Sequence, residues 1–397
     1  MAQSCLQHIA VGRSRQMLLA CYALLCRRWR VSTLCMSLLL LALDQWRRSK
    51  EALRFYARSY QNYPQSTVAR QAIPQLVSDI KAQLSAYDPA KLKATFGANC
   101  ADLAIAGGGA KSLYALGAYF ALQHAGVTID RASGTSSGAY ISALLLGTQY
   151  RVDDLLQEQL IGWGPCVVQA IHDKKTLCLG KIWKHMSILL KQRLAGWVPK
   201  TDTLFINVTT LGRSGLVENV VSEFASPEDL EETICASMSI PFILCDGPFT
   251  TWRGQRGLDG GFSNNCPISC FLSSRRRNRS KGDSADGDFA ALGSLEEDRI
   301  IVKVDANALT SMPCWRKALH VAYAPMEFCC DIVLEGMRDM LEVMSTGKQQ
   351  LNGIKVIPYR SPMQKRDFSY QLLPGREHFE RLRKGKSILW NVDRRTG

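Results

Sequence analysis

The segment Gly134-Thr135-Ser136-Ser137-Gly138 sets a serine two residues from a glycine on either side, the spacing that a sharp strand-to-helix turn needs to present an exposed hydroxyl. Ser136 is the central residue. Such a turn folds back on itself, leaving no room for Cβ atoms at its two glycine positions, which Gly134 and Gly138 fill. The flanks agree: Val127-Thr128-Ile129 is short and β-branched, and Ala139 to Leu146 is rich in helix formers. Upstream, the apolar stretch Ala101 to Ala106 reads as a buried strand running into Gly107-Gly108-Gly109-Ala110-Lys111-Ser112, with a helical stretch from Leu113 to Ala125 after it. A glycine turn at a helix start leaves backbone N–H groups bare, where they can hold an anion or a developing oxyanion. Downstream, Asp259 precedes Gly260 and Gly261 and leads into Asn264-Asn265-Cys266-Pro267. A serine, a nest of amides and an acid are the parts of an acyl-transfer site.

Other readings of these glycine turns fit less of the chain. A phosphate-binding loop requires Gly-Lys-Ser or Gly-Lys-Thr, whereas Lys111 follows Ala110. A dinucleotide turn would use Gly107, Gly109 and the acid Asp130, but Ser112 stands at its third glycine position, and the serine elbow and the Asp-Gly-Gly stay unexplained. Asp246 also precedes a glycine but lacks the second one, and Asp305, ending the apolar strand Ile300 to Val304, reads as a turn or capping residue. Lys111 reads either as positive charge near the amide nest or as a solvated first-turn lysine.

At these residues the chain resembles the patatin-like phospholipase family, whose signatures are a glycine-rich oxyanion loop with a nearby basic residue, G-x-S-x-G, and D-G-G or D-G-A. All three occur in the family's order, Ala236-Ser237-Met238-Ser239-Ile240-Pro241-Phe242 is similar to its small-residue segment, and the Asn-x-Pro after Gly261 is typical too. Ser112 departs from the glycine that many members carry after the basic residue. The resemblance implies a three-layer α/β/α domain with a mostly parallel central sheet. It also implies a dyad: Ser136 as nucleophile, Asp259 as general base, Gly107, Gly108 and Gly109 as oxyanion donors, and Lys111, Gly134, Gly138, Gly260 and Gly261 in support. No metal or other cofactor is implied. The expected activity is cleavage of carboxylic esters of phospholipids or acylglycerols through an acyl-serine. A transacylase using the same site, and a weakly active lipid-binding or scaffold protein, are the alternatives. The six histidines fit a dyad, since none sits in a recognisable triad motif.

The elements that must position these residues come from a chain of 397 residues, 46% apolar, enough for one large domain or two to three average ones. Its fourteen cysteines show no C-x-x-C spacing and read as reduced thiols, with the catalytic domain facing the cytosol. The net charge of +14 is uneven: residues 1–60 hold ten Lys and Arg against Asp44 and Glu51. Two apolar runs there, Met17 to Cys26 and Val31 to Leu43, flank Arg27, Arg28 and Arg30, and each falls short of the ~20 residues that span a bilayer. Residues 1–50 are therefore expected to anchor the protein on one face of a membrane or lipid droplet, with an organellar transit peptide as the alternative.

Residues 51–98 read as a helical linker interrupted near Pro64, Pro74 and Pro89, residues 99–345 as the catalytic domain, and residues 346–397 as a basic C-terminal extension. Within the domain, Leu204 to Thr210 reads as a strand and Glu228 to Ala236 as a helix. Ile182 to Trp197 carries an apolar stripe that suits either core packing or a lid. Residues 273–298 are expected to be a disordered loop opening with Arg275, Arg276, Arg277, Arg279 and Lys281, and Ala318 to Met344 is expected to be helical. No basic pattern interleaved with aromatics argues for nucleic acid.

Overall fold

The computed structural model describes residues 65–147, 194, 196–212, 215–241, 244–245, 247–271, 299–309 and 326–359. Two compact units divide the chain, residues 69–210 with 216–397, and residues 1–68 with 211–215. The candidate site lies wholly in the first. Its elements in chain order begin with helices α1 (Gln65–Ser85) and α2 (Pro89–Phe96), strand β1 (Cys100–Ile105), a 3-10 turn at Gly109–Leu113, α3 (Tyr114–His124), β2 (Thr128–Thr135) and α4 (Ser137–Gly147). They continue with β3 (Leu204–Gly212), β4 (Gly215–Val221), α5 (Pro227–Ser237), β5 (Thr250–Trp252), β6 (Gln255–Leu258) and a 3-10 turn at Gly260–Phe262. Strand β7 (Ile300–Val304), a 3-10 turn at Ala306–Ala308, α6 (Met326–Thr346), β8 (Gln350–Leu351) and β9 (Ile354–Pro358) complete the order.

The strands form one mixed sheet in the order β5-β6-β3-β2-β1-β7-β9-β8, with β4 also paired to β3. Its centre, β3-β2-β1-β7, is parallel, and antiparallel strands flank it on both sides. The central strands are buried on both faces, as Leu103, Ala104, Ala132, Ile206, Val208, Ile301 and Val302 show, and β1 and β7 accordingly read as largely apolar runs rather than as alternating ones. Helices flanking a mostly parallel sheet give the three-layer α/β/α arrangement. Strands β2 and β3 follow β1 on one side and β7 closes the other, so the strand order reverses at β1, and in open α/β sheets ligands bind beyond the carboxyl ends of strands at such a point.

Three local expectations change. The linker helix α1 runs through Pro74 instead of breaking there: Ile73, Leu76, Val77 and Ile80 bury one face in the main core. Burying such side chains at ~1.5–3 kcal/mol each outweighs the ~3 kcal/mol penalty of an internal proline. Pro89, by contrast, opens α2 behind the Asp88 cap, where its missing N–H costs nothing. Strand β2 extends through Arg131-Ala132-Ser133-Gly134-Thr135, whose small residues carry no local strand signal but are enclosed between β1 and β3. The sheet also passes residue 345, where the catalytic domain was expected to end, because β9 pairs with β7 from Ile354 to Pro358.

Helices α3 and α6 touch backbone to backbone through two glycines. A Cβ on Gly117 would lie 1.9 Å from the Val333 carbonyl oxygen, and one on Gly336 would lie 2.0 Å from that of Tyr114. Replacing a helical glycine by alanine ordinarily gains up to ~1 kcal/mol in propensity. Here the helices must part, so Gly336→Ala is expected to cost about 1–3 kcal/mol in urea unfolding. An unchanged or raised midpoint would show that this contact is not close.

Residues 1–50, 273–298 and 360–397, and with them the expected anchor, loop and most of the basic extension, lie outside the described residues, as does Asp246. Of the stripe 182–197, only Leu194, Gly196 and Trp197 are described; Leu194 and Trp197 close on the position a Cβ of Gly147 would occupy at the end of α4. Among the described residues no helix is long and apolar enough to cross a membrane.

Candidate active site

The ends of strands β1, β2 and β6 assemble the site. Strand β2 ends at Thr135, α4 begins at Ser137, and between them Ser136 is forced to φ 56°, a left-handed conformation costly for a residue with a Cβ. Close packing holds it there. A Cβ on Gly134 would fall 2.4 Å from the carbonyl of Gly138, and one on Gly138 would fall 2.4 Å from the Ile105 carbonyl oxygen, so both glycines of the elbow are required by contact. The Ser136 N–H donates to Ser237 Oγ at 2.8 Å, and Ser237 in turn donates to the Asn207 carbonyl at 2.7 Å. The buried Ser237, at the end of α5, thus ties the strained elbow to β3, a task invisible in the sequence because it depends on a partner 101 residues away.

The acid arrives from β6. Asp259 caps the short turn Gly260–Phe262, its Oδ1 accepting the Gly261 N–H at 2.8 Å. A Cβ on Gly260 would lie 2.1 Å from the Asn207 carbonyl oxygen, so this turn presses directly onto β3. Asn207, which carried no signal in the sequence, holds it there: its Nδ2 donates to the carbonyls of Gly260 at 2.8 Å and Asn264 at 2.7 Å. Since Asn207 pairs with Thr135 across β3 and β2, one residue brings the Asp259 turn and the Ser136 elbow together.

Asp259 is buried, and its Oδ2 closes no hydrogen bond. Loss of hydration pushes its carboxyl up to about 6, opposed by the nearby Ser136 hydroxyl and by the Gly261 N–H. An unpartnered buried carboxylate oxygen beside a serine hydroxyl is an acceptor awaiting a proton. A loose approach without substrate is ordinary for such pairs, which tighten as the reaction proceeds.

The glycine loop follows β1 and abuts the serine: a Cβ on Gly107 would lie 2.9 Å from Ser136 Cβ. The structure corrects the expected oxyanion donors. The Gly107 N–H is spent on the Asn265 carbonyl at 3.1 Å, and the Gly108 N–H donates to Ser137 Oγ at 3.2 Å. The N–H groups of Gly109, one of the three expected donors, and of Ala110 make no hydrogen bond among the described residues, so the open donors are Gly109 and Ala110 and not Gly107 and Gly108. Gly109 has φ 61°, which suits its lack of a Cβ. Ser112, the departure from the family pattern, donates to the Ala106 carbonyl at 3.1 Å and lies 2.7 Å from Ser137 Oγ, so its hydroxyl joins the loop to the elbow helix.

Lys111 is buried and places Nζ 2.5 Å from Asn307 Oδ1, which removes the reading as a solvated lysine. Asp305 caps the turn after β7 through the Asn307 N–H at 3.0 Å, as its sequence position suggested. Asp130 lies five residues before Thr135, roughly 16 Å along the strand from the elbow, and is paired there with Arg299. It cannot meet a ligand on the glycine loop.

Among known proteins, residues 103–272 match the family model described as patatin-like phospholipase. The glycine loop, Ser136 and Asp259 all lie inside that segment, which is a patatin-like domain. The omega-hydroxyceramide transacylase of Homo sapiens is 30% identical over 180 residues, 42% of this chain and 32% of that protein. The Mus musculus protein of the same name is 28% identical over 185 residues, covering 44% and 29%. The chain thus spans about a third of the length of these curated relatives. The match of residues 103–272 to this family model supports lipid acyl-ester hydrolysis or acyl transfer.

Proposed function

We propose that the patatin-like domain of this chain is a serine-dependent lipid acyl hydrolase acting on carboxylic esters of phospholipids or acylglycerols. The observation that carries this reading is the juxtaposition of a strained Ser136 with the buried, unpartnered Oδ2 of Asp259 beside open amides of the glycine loop. In its ionised form Asp259 takes the proton of Ser136 as Oγ adds to the ester carbonyl, and the oxyanion forms against the N–H groups of Gly109 and Ala110. Collapse of the tetrahedral adduct breaks the ester C–O bond, Asp259 returns the proton to the leaving alcohol, and acyl-Ser136 remains. Water then attacks with Asp259 again as base, releasing the fatty acid.

An alcohol in place of water would make the same site a transacylase, a reading favoured by the names of the two relatives. Incubation of the full chain with radiolabelled phospholipid and acylglycerol, with and without a long-chain alcohol acceptor, separates the two by product: free fatty acid alone, or acylated acceptor. Retained lipid binding with neither product, in a chain whose Ser136→Ala variant behaves identically, would favour a lipid-binding protein without turnover. Attachment to a membrane or lipid droplet through residues 1–50 belongs to this proposal.

The pH dependence follows from the acid. Only ionised Asp259 accepts a proton, so kcat/KM toward a soluble p-nitrophenyl ester is expected to rise with pH through about 6 and level off above it. A profile flat down to pH 4.5 would remove Asp259 from the role of base.

A further inference from the structure

Three consecutive glycines have no side chains to define their own conformation, so a loop that must present N–H groups in one direction needs an outside clamp. The sheet provides one. Strands β1 and β7 are parallel neighbours with Ile105 opposite Val304, so the segments leaving them, Ala106-Gly107 and Asp305-Ala306-Asn307, emerge side by side. Asn307 donates from Nδ2 to the Gly107 carbonyl at 2.8 Å and to Asp305 Oδ1 at 3.0 Å, while its Oδ1 accepts from Lys111 Nζ at 2.5 Å. Turning this amide over would set its oxygen against a carboxylate and a carbonyl, and its NH2 against an ammonium. Lys111 and Asp305 therefore permit one orientation only.

We propose that Asn307 is a positioning residue for the acyl-transfer step: oriented by Lys111 and Asp305, its amide locks the Gly107–Gly108 peptide so that the loop offers its open N–H groups in a single conformation. The inference rests on the serine-esterase reading above and extends it to a residue beyond the family-matched segment, which ends at residue 272. A peptide group is planar, so holding the Gly107 carbonyl fixes the opposed Gly108 N–H on Ser137 Oγ and with it the start of the Gly109 turn. The buried charge of Lys111 acts here through Asn307, where it sets the amide's direction. Asn265 Nδ2 donates to the same carbonyl at 3.0 Å, so Gly107 is held from two sides.

The test compares the full chain with Asn307→Ala, Lys111→Met and the double variant, reading kcat, KM and the second-order rate of fluorophosphonate labelling at Ser136. A misplaced donor loop weakens the transition state more than substrate binding. Asn307→Ala is expected to lower kcat and the labelling rate by about 10- to 100-fold with KM little changed. Lys111→Met is expected to cause a smaller loss that vanishes in the Asn307→Ala background, since both act through one amide. Unchanged labelling in Asn307→Ala, or a rise in KM that accounts for the whole effect, overturns the proposal. Should Asn307→Ala fail to fold, unchanged labelling in a folded Lys111→Met does so alone. Absence of Ser136 labelling in the wild-type chain would instead remove the esterase reading on which this one rests.

Discussion

Asp259→Asn is expected to abolish turnover while making the protein more stable above pH 6. The carboxyl of Asp259 is raised from its ordinary 3.8 to about 6, so folding favours its protonated form. Its contribution is fully present below about pH 4 and is lost as pH rises through 6; from there upward the native state carries a buried charge costing about 3 kcal/mol. Asparagine keeps the shape and an oxygen for the Gly261 N–H, and it has no charge to bury. The variant should match the wild type near pH 4 and exceed it at pH 8 by up to ~3 kcal/mol, a rise in melting temperature on the order of 5–10 °C. Loss of the base lowers kcat by about 100- to 10,000-fold. Thermal unfolding of both proteins at pH 4 and pH 8 checks the sign; an equal or lower melting temperature of the variant at pH 8 would show that Asp259 is held charged by interactions not identified in this site.

Asp102→Asn should do the opposite, destabilising the protein strongly with little effect on the chemistry of whatever remains folded. Asp102 is fully buried in β1, where Oδ1 accepts from Arg131 Nε at 2.9 Å and Arg299 Nη1 at 2.7 Å, and Oδ2 meets Arg131 Nη2 and the Tyr359 hydroxyl. The Arg131 guanidinium also lies over the rings of Phe271 and Tyr359. Removing the carboxylate takes the shared counter-charge from two largely buried cations, Arg131 and Arg299, the latter also paired with Asp130. Breaking a buried pair from one side costs about 3–5 kcal/mol, since the surviving charge stays desolvated. The midpoint of urea unfolding reads this directly, and a change below ~1 kcal/mol would place these arginines in solvent. The cluster sits toward the amino ends of β1 and β7, away from the Gly107 loop, so the rate of Ser136 labelling per folded molecule should hold.

The chemistry was more legible in the sequence than the scaffold that holds it. Ser136, Asp259 and the glycine loop announce themselves through spacing, because steric demands of an elbow and a turn act within a few residues. Asn207 and Asn307 carry no such mark, and Ser237 is marked only by its place in a small-residue segment. Each works on a partner brought near by strand order, as Asn307 meets Gly107 only because β1 and β7 are neighbours, and nothing local to Asn307 encodes that adjacency. The same holds for the donors of the loop: glycine content pointed to Gly107, Gly108 and Gly109 alike, but the Asn265 carbonyl that occupies the Gly107 N–H lies 158 residues away in the chain. The strand signal in the sequence stops at Val127-Thr128-Ile129 because Ala132-Ser133-Gly134-Thr135 has the composition of a loop, and only the neighbours β1 and β3 make it part of β2. Pro74 misled for the converse reason, a strong local signal overridden by the burial of Ile73, Leu76, Val77 and Ile80.

Covalent capture tests the central claim most directly. The full chain is treated with a fluorophosphonate at pH 8 and digested, and the modified peptide is identified by mass spectrometry, with Ser136→Ala and Asp259→Asn in parallel. A single adduct on Ser136, absent from Ser136→Ala and formed far more slowly in Asp259→Asn, is the expected result. No adduct on Ser136, or one formed at the same rate when Asp259 is replaced, would contradict a serine activated by that carboxylate.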